Sequence, residues 1–141
     1  MKNQLFDNNK LIIYTDGGSR GNPGKAAAGA VVGNKKYSAY LDVTTNNVAE
    51  YKAVIFALKK ARQLLGKEKA KKAEIEVRSD SELIVRQLSG LYRIKEDELK
   101  ILFADVHNLN FDFSKISFIH IPREKNREAD RLVNEELDRH K

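Results

Sequence analysis

The period of the apolar positions changes several times along this chain, and each change marks an element. Leu11 to Tyr14 is a short apolar run that ends at Asp16-Gly17-Gly18. A second run, Ala26 to Val32, follows a glycine-rich turn, and together they predict two strands of a hairpin. Lys36 to Val43 alternates as a third strand should. From Asn47 the spacing shifts to three and four, because Val54, Ala57, Leu58, Ala61, Leu64 and Leu65 recur in helical register until Gly66. Glu74 to Arg78 predicts a fourth strand. Ser79 with Glu82 has capping-box spacing and predicts a helix through about Leu88, ended by Gly90. Lys95 to Leu109 is again helical, Ile116 to Ile121 is a fifth strand stopped by Pro122, and Arg127 to about Arg139 forms a terminal helix. The order β-β-β-α-β-α-α-β-α predicts an α/β fold, a mixed five-stranded sheet flanked by helices.

Composition narrows the picture without changing it. A length of 141 residues suits one domain, residues 1–141 with a core from about 11 to 139, and no repeat or linker divides it. Two prolines, eight glycines and 41% apolar residues exclude a disordered or low-complexity chain. No apolar stretch approaches the ~20 residues that cross a bilayer, and Met1 to Lys10 is polar, so no membrane partner is expected and a cytoplasmic location is. The absence of cysteine excludes disulfides, thiolate catalysis and thiolate-held zinc or iron–sulfur sites. The net charge of +6 suits a polyanionic partner, though it equally serves solubility. Lys59, Lys60, Arg62, Lys67, Lys69, Lys71 and Lys72 crowd one stretch in which Glu68 is the sole acid. That stretch reads either as a solvated helix end suited to the helix dipole or as a contact with a phosphate backbone.

Four acids stand out. Glu50 lies four residues before Val54 and eight before Leu58, at the head of the buried helical stripe. A carboxylate that faces a core is costly unless paired or bound to metal. Asp130 repeats the arrangement, three residues before Val133 and seven before Leu137. Asp16 ends the alternation Ile12, Tyr14, Asp16, and Asp80 sits where the fourth strand gives way to a helix. Each has an ordinary explanation: Asp80 as a cap, Asp16 as a turn residue, Glu50 as a partner of Lys52 or Arg86, Asp130 as a first-turn acid. All four, however, lie at element ends that a mixed sheet can bring together. Clustered carboxylates repel, and two divalent cations would cancel their charge. Oxygen donors without Cys or a His cluster favour Mg²⁺ or Mn²⁺, and a pair of such ions suits phosphoryl transfer.

The run Gly17-Gly18-Ser19-Arg20-Gly21-Asn22-Pro23-Gly24-Lys25 is not a nucleotide P-loop, because Pro23 stands where a glycine is required and a strand follows rather than a helix. It is either a flexible hairpin turn or a backbone that a sugar–phosphate strand can approach closely.

These residues resemble a known family, type 1 ribonuclease H. The matching pieces are Tyr14-Thr15-Asp16-Gly17-Gly18-Ser19, Thr44-Thr45-Asn46-Asn47-Val48-Ala49-Glu50-Tyr51, Ser79-Asp80-Ser81 and Asn126-Arg127-Glu128-Ala129-Asp130. They occur in family order and span Leu11 to about Leu137. The resemblance implies the ribonuclease H-like fold and hydrolysis of the RNA strand of an RNA–DNA hybrid by a two-metal-ion mechanism, leaving 5′-phosphate and 3′-hydroxyl ends. It implies metal-ligand and catalytic roles for Asp16, Glu50, Asp80 and Asp130, and two Mg²⁺ or Mn²⁺ ions per site. Substrate contacts are expected from Gly17, Gly18, Ser19, Arg20, Asn22, Thr45, Asn46, Asn47, Ser81 and Asn126. Contacts of this kind read the 2′-hydroxyl and backbone rather than base edges, so little sequence preference should follow.

Three departures matter. Many bacterial members carry a basic, aromatic-rich insertion, whereas Leu88 to Leu99 here holds only Tyr92 among mixed charges. Hybrid affinity would then either rest on the Lys59 to Lys72 region, with Lys67, Lys69, Lys71 and Lys72 as its basic patch, or be weaker. Only about ten residues precede the first strand, too few for a separate hybrid-binding domain. Pro122-Arg123-Glu124-Lys125 fills the loop in which many members carry a histidine. Arg123 is therefore the expected auxiliary catalytic group, and His120, inside the predicted strand, reads as structural. A monomer with no obligate protein partner is expected. A nuclease of the same fold that cuts duplex RNA or DNA is the alternative enzyme, and a hybrid-binding module would predict a broken acid set.

Overall fold

The computed structural model describes residues 6, 7 and 10–141. Its strands are β1 (Phe6–Asp7), β2 (Lys10–Gly21), β3 (Gly24–Val32), β4 (Lys35–Thr44), β5 (Glu74–Ser79) and β6 (Lys115–His120). Its helices are α1 (Asn46–Leu65), α2 (Lys67–Lys72), α3 (Glu82–Leu88), α4 (Asp97–Leu109) and α5 (Arg127–Asp138), with short 3₁₀ turns at Asn110–Asp112 and Arg123–Lys125. The sheet order is β4-β3-β2-β5-β6, and β1 pairs with the start of β2. The hairpin partners β2, β3 and β4 are antiparallel, while β5 pairs in parallel with both β2 and β6. The mixed five-stranded sheet expected from the sequence is thus present, with β1 as an added two-residue strand. Of the polar lead-in Met1 to Lys10, residues 1–5, 8 and 9 fall outside the described residues.

Alternation decides what each face of the sheet buries. Leu11, Ile13, Ala30, Val32, Ile75 and Val77 pack with Tyr51, Val54, Leu58 and Ala61 of α1 and with Leu99 and Val106 of α4. On the opposite face, Ala27 packs with Val133 and Leu137 of α5, and Tyr40 leans on them. Each face admits its helix through a glycine. A Cβ at Gly17 would collide with the Ala49 carbonyl of α1, and one at Gly29 with the Ala129 carbonyl of α5. Both helices therefore press their first turns directly on the sheet.

Three local readings are corrected. The first strand runs to Gly21 rather than ending near Tyr14, because Gly17 to Gly21 pairs with Gly24 to Ala28 and leaves Asn22-Pro23 as the whole turn. The cap of α3 is Ser81, whose Oγ accepts the Ile84 N–H at 3.3 Å, while Ser79 is buried in β5 and accepts the Ser81 N–H. The lysine-rich stretch is divided: Lys59, Lys60 and Arg62 belong to the end of α1, while Lys67 to Lys72 form a helix of their own, α2, set off from α1 by Gly66 at φ +80°.

Candidate active site

The acid cluster follows from how two parallel strands part company. β2 and β5 pair from Lys10–Glu74 to Tyr14–Arg78. Beyond that point β5 ends, while β2 continues into its hairpin with β3. Asp16, two residues past the last pair, and Asp80, the first residue after β5, flank the gap left at the carboxyl end of β5. α1 brings the third acid. Thr45 caps it, its Oγ1 accepting the Val48 N–H at 3.3 Å, and Glu50 then falls in the turn pressed on Gly17. Glu50 Oε1 accepts the Gly17 N–H at 2.5 Å. Arg86 pairs instead with Glu82, at 3.7 Å, so it does not neutralise Glu50. Asp16, Glu50 and Asp80 can each offer an oxygen within 4.8 Å of the others. Asp130, in the first turn of α5, comes from the other face of the sheet, and its charge helps to raise the Asp16 carboxyl. It stands outside the tight group of three.

Crowding these acids has an electrostatic consequence. Burial pushes the Asp16 carboxyl up to about 7, and the charges of Asp80 and Asp130 push the same way. Burial, then the Asp16 charge, also raises Glu50 well above the carboxylate range, against the pull of the Gly17 N–H. Asp80 is raised by burial, and the Asn126 amide, Arg123 and His120 partly offset the shift. Within the described chain the cluster therefore lacks enough positive charge to ionise fully at neutral pH.

A hard divalent cation supplies that charge. The donor set is three carboxylates that already approach one another, with no thiolate and no imidazole among them, which matches the oxygen preference of Mg²⁺ and Mn²⁺. The residues fit such an ion, and Asp130 stands ready to extend the set.

Around the acids an open cleft of about 360 Å³ is lined by Asp16, Gly17, Asn46, Asn47, Glu50, Asp80, Ser81 and Arg123. Asn46 ties the hairpin to the head of α1: its Oδ1 accepts the Ser19 N–H at 2.9 Å and the Ser19 hydroxyl at 3.0 Å, and its N–H reaches Asn22 Oδ1 at 3.0 Å. Asn22, Thr45 and Asn47 line a neighbouring cleft with Glu96 and Glu98. Several expected substrate contacts are engaged elsewhere. The Gly17 N–H is taken by Glu50, and Gly18 faces Val133 of α5. Arg20 turns to α5, where it pairs with Asp138 at 2.8 Å. Asn126 is buried at 1% exposure, which removes it from any substrate surface. His120 is not the packed structural residue expected; it is exposed at the end of β6, beside Asp80. Lys67, Lys69, Lys71 and Lys72 are exposed on α2, beyond the far end of α1 from Glu50.

Fold and site together define a nuclease-type α/β domain, a mixed sheet whose carboxylate cluster is suited to divalent metal. The sequence profile of the reverse transcriptase-like family matches residues 14–136, and the chain belongs to that family, to its type 1 ribonuclease H members. It is 40% identical over 136 residues to the bifunctional protein Rv2228c of Mycobacterium tuberculosis, covering 92% of this chain and 36% of that protein. To ribonuclease HI of Halobacterium salinarum it is 39% identical over 135 residues, covering 92% of this chain and 65% of the relative. It thus spans about a third of the mycobacterial protein and just under two thirds of the haloarchaeal one. The crystal structure of LC11-RNase H1 in complex with an RNA/DNA hybrid superposes with a TM-score of 0.86 at 50% identity, covering 92% of this chain and 97% of that one.

Proposed function

We propose that this chain is a metal-dependent endoribonuclease that hydrolyses the RNA strand of RNA–DNA hybrids and leaves 5′-phosphate and 3′-hydroxyl ends. The observation that carries the reading is the convergence of Asp16, Glu50 and Asp80 within 4.8 Å, in a cleft edged by amides, a hydroxyl and a guanidinium. The 50% identity to a ribonuclease H1 seen with a hybrid supports the same substrate.

Two divalent ions, Mg²⁺ or Mn²⁺, would contribute the charge that makes a water nucleophilic near neutral pH and stabilises the developing phosphorane and departing oxygen. Asp16, Glu50, Asp80 and Asp130 hold that charge in place. Glu50 is oriented by the Gly17 N–H, so its carboxylate does not have to be ordered when substrate arrives. Asn46, Asn47 and Ser81 present polar groups at the cleft edge to the sugar–phosphate backbone, where the RNA strand differs from DNA by its 2′-hydroxyl. The Arg123 guanidinium offsets negative charge at the scissile phosphate and the leaving oxygen. We further propose that the chain works as a monomeric catalytic domain in the cytoplasm. No helix among the described residues is long and apolar enough to cross a membrane.

The test is incubation of the purified chain with end-labelled hybrid, duplex DNA and duplex RNA, each with Mg²⁺, with Mn²⁺ and with chelator. Cleavage confined to the RNA strand of the hybrid and dependent on metal is expected. Equal cleavage of duplex RNA would replace this reading with that of a broader nuclease of the same fold.

A further inference from the structure

Asn126 stands at the N-cap of α5, where an asparagine ordinarily turns its side chain to the free N–H groups of the first turn. It does not cap. No side-chain hydrogen bond to the helix is made, and the side chain points inward, buried to 1% exposure. Its Nδ2 donates to the Thr15 carbonyl at 2.8 Å, the carbonyl of the peptide that joins Thr15 to Asp16. Its own carbonyl accepts the Asp130 N–H at 3.2 Å. The same side chain favours the ionised Asp80 carboxyl and so offsets part of the rise that burial causes. One residue therefore touches β2 beside Asp16 and the turn of α5 that carries Asp130, and acts on Asp80 just past β5.

Stability does not account for it. Asn126 Oδ1 is buried and has no hydrogen-bond partner among the described residues. A buried acceptor left unmet is a cost, and an apolar side chain of similar volume would avoid it. A polar group kept in place against its own desolvation points to a geometric task. Nor does it contact substrate, since the side chain has no open surface.

We propose that Asn126 is a positioning residue, whose inward amide holds β2, the end of β5 and the head of α5 at the separation where Asp16, Asp80 and Asp130 together grip a divalent ion. The proposal rests on the metal-dependent nuclease reading. Partners that orient metal ligands change metal affinity or activity by about 10- to 100-fold when removed.

The test compares wild type with Asn126→Ala by calorimetric titration with Mn²⁺ alone, by thermal unfolding, and by steady-state cleavage of a hybrid. Expected for Asn126→Ala are Mn²⁺ binding weakened about 10- to 100-fold, turnover reduced by a similar factor at the wild-type metal optimum, and KM for hybrid within about twofold. Should the alanine variant unfold at the assay temperature, Asn126→Ser, which keeps a short donor, replaces it under the same criteria, with a smaller loss expected. A folded variant with wild-type Mn²⁺ affinity and turnover overturns the proposal. So does a rise in KM at unchanged turnover, which would return Asn126 to the substrate surface. A wild-type chain that neither binds Mn²⁺ nor cuts hybrid overturns the nuclease reading and this proposal with it, so the wild-type arm separates the two failures.

Discussion

The two ends of α1 serve as opposite poles. Glu50 lies near its head, and Leu65 ends it about 22 Å further on, at ~1.5 Å per residue. At the head, β2, α1, the end of β5 and α5 each supply one of four carboxylates, the helix is fitted to the sheet through a glycine with no room for a Cβ, and the Gly17 N–H orients Glu50. At the tail, α2 carries Lys67, Lys69, Lys71 and Lys72 into solvent, and none of them is in an ion pair among the described residues. Charge at the head is concentrated against its own repulsion; charge at the tail is spread where water screens it. The comparison separates a site that is built from a surface that is merely charged, and substitutions at each pole should differ in kind as well as in size.

The largest effect is expected at the head. Asp80→Asn removes one ligand charge without changing shape, and turnover with Mg²⁺ should fall by at least about 10³-fold, several kcal/mol of lost transition-state stabilisation. Thermal stability should hold or rise, because the Asp80 carboxyl is already raised by burial and its neutralisation relieves Asp16. Near wild-type turnover in a folded variant would break the metal assignment. Unfolding would show instead that Asp80 is needed chiefly by the fold.

The same crowding makes metal-free stability depend on pH, with a definite sign. Asp16 titrates at about 7 in the folded chain against an ordinary value of 3.8. Below about 3.8 the group is protonated in both states and costs nothing. Between about 4 and 7 the unfolded chain releases the proton and the folded one keeps it, so stability falls as pH rises, levelling above the folded value. Glu50 is shifted in the same direction. Metal-free protein should therefore lose stability from pH 5 to pH 7.5 relative to Asp16→Asn under the same conditions. Added Mg²⁺ or Mn²⁺ should raise the melting temperature more at pH 7.5 than at pH 5, because binding requires the ionised acids. Melting curves that run parallel for wild type and Asp16→Asn would break the picture of an undercompensated cluster.

How much of this was legible in the sequence follows the same division. The acids were readable because each breaks a local rule: Glu50 and Asp130 occupy apolar stripes, Asp16 ends the apolar alternation from Ile12, and Asp80 follows the apolar alternation of β5. Local patterns also placed the five main strands and the long helices. What the sequence hid depends on partners far along the chain. Gly17 to Gly21 looks like a loop until its pairing with β3 is known, and the Gly17 N–H looks free until Glu50 arrives from α1. Arg20 faces the cleft in a sequence motif but faces Asp138 in space, a partner 118 residues away in the chain. Asn126 lies inside a recognised motif, and only burial reveals that it points inward. The choice of Ser81 over Ser79 as the cap of α3 follows from β5 extending one residue further than its apolar alternation suggests.

A middle-sized effect belongs to the rim of the head. Arg123 lines the cleft and pulls down the Asp80 carboxyl, and His120 acts on Asp80 in the same direction but more weakly. Arg123→Ala should lower single-turnover cleavage about 10- to 100-fold without abolishing it, since the metal-held chemistry persists. His120→Ala should leave the melting temperature nearly unchanged, because the side chain is exposed, and should cost less activity than Arg123→Ala. Measuring both across pH sharpens the assignment. Loss of an activity pKa near 6 to 7 in folded His120→Ala would move the proton-transfer role to the histidine and reduce Arg123 to a contact residue.

The smallest effect is expected at the tail, and it depends on the length of the substrate. A hybrid of about 8 base pairs centred on the acids extends roughly 14 Å to either side, at ~3.4 Å per pair, short of the ~22 Å that separates Glu50 from the end of α1. A hybrid of about 20 pairs reaches the lysines if its axis follows α1, and misses them if it crosses. Replacing Lys67, Lys69, Lys71 and Lys72 together by Gln should therefore leave turnover and the affinity for the short hybrid unchanged. For the long hybrid, affinity should fall less than about tenfold, and the salt dependence should flatten by about one unit for each phosphate that a lysine no longer neutralises. Equal weakening of both hybrids would mean that the lysines act through the field of the whole molecule. No change with either would make α2 a solvated face, and the grip on the duplex would belong to the head of α1 alone.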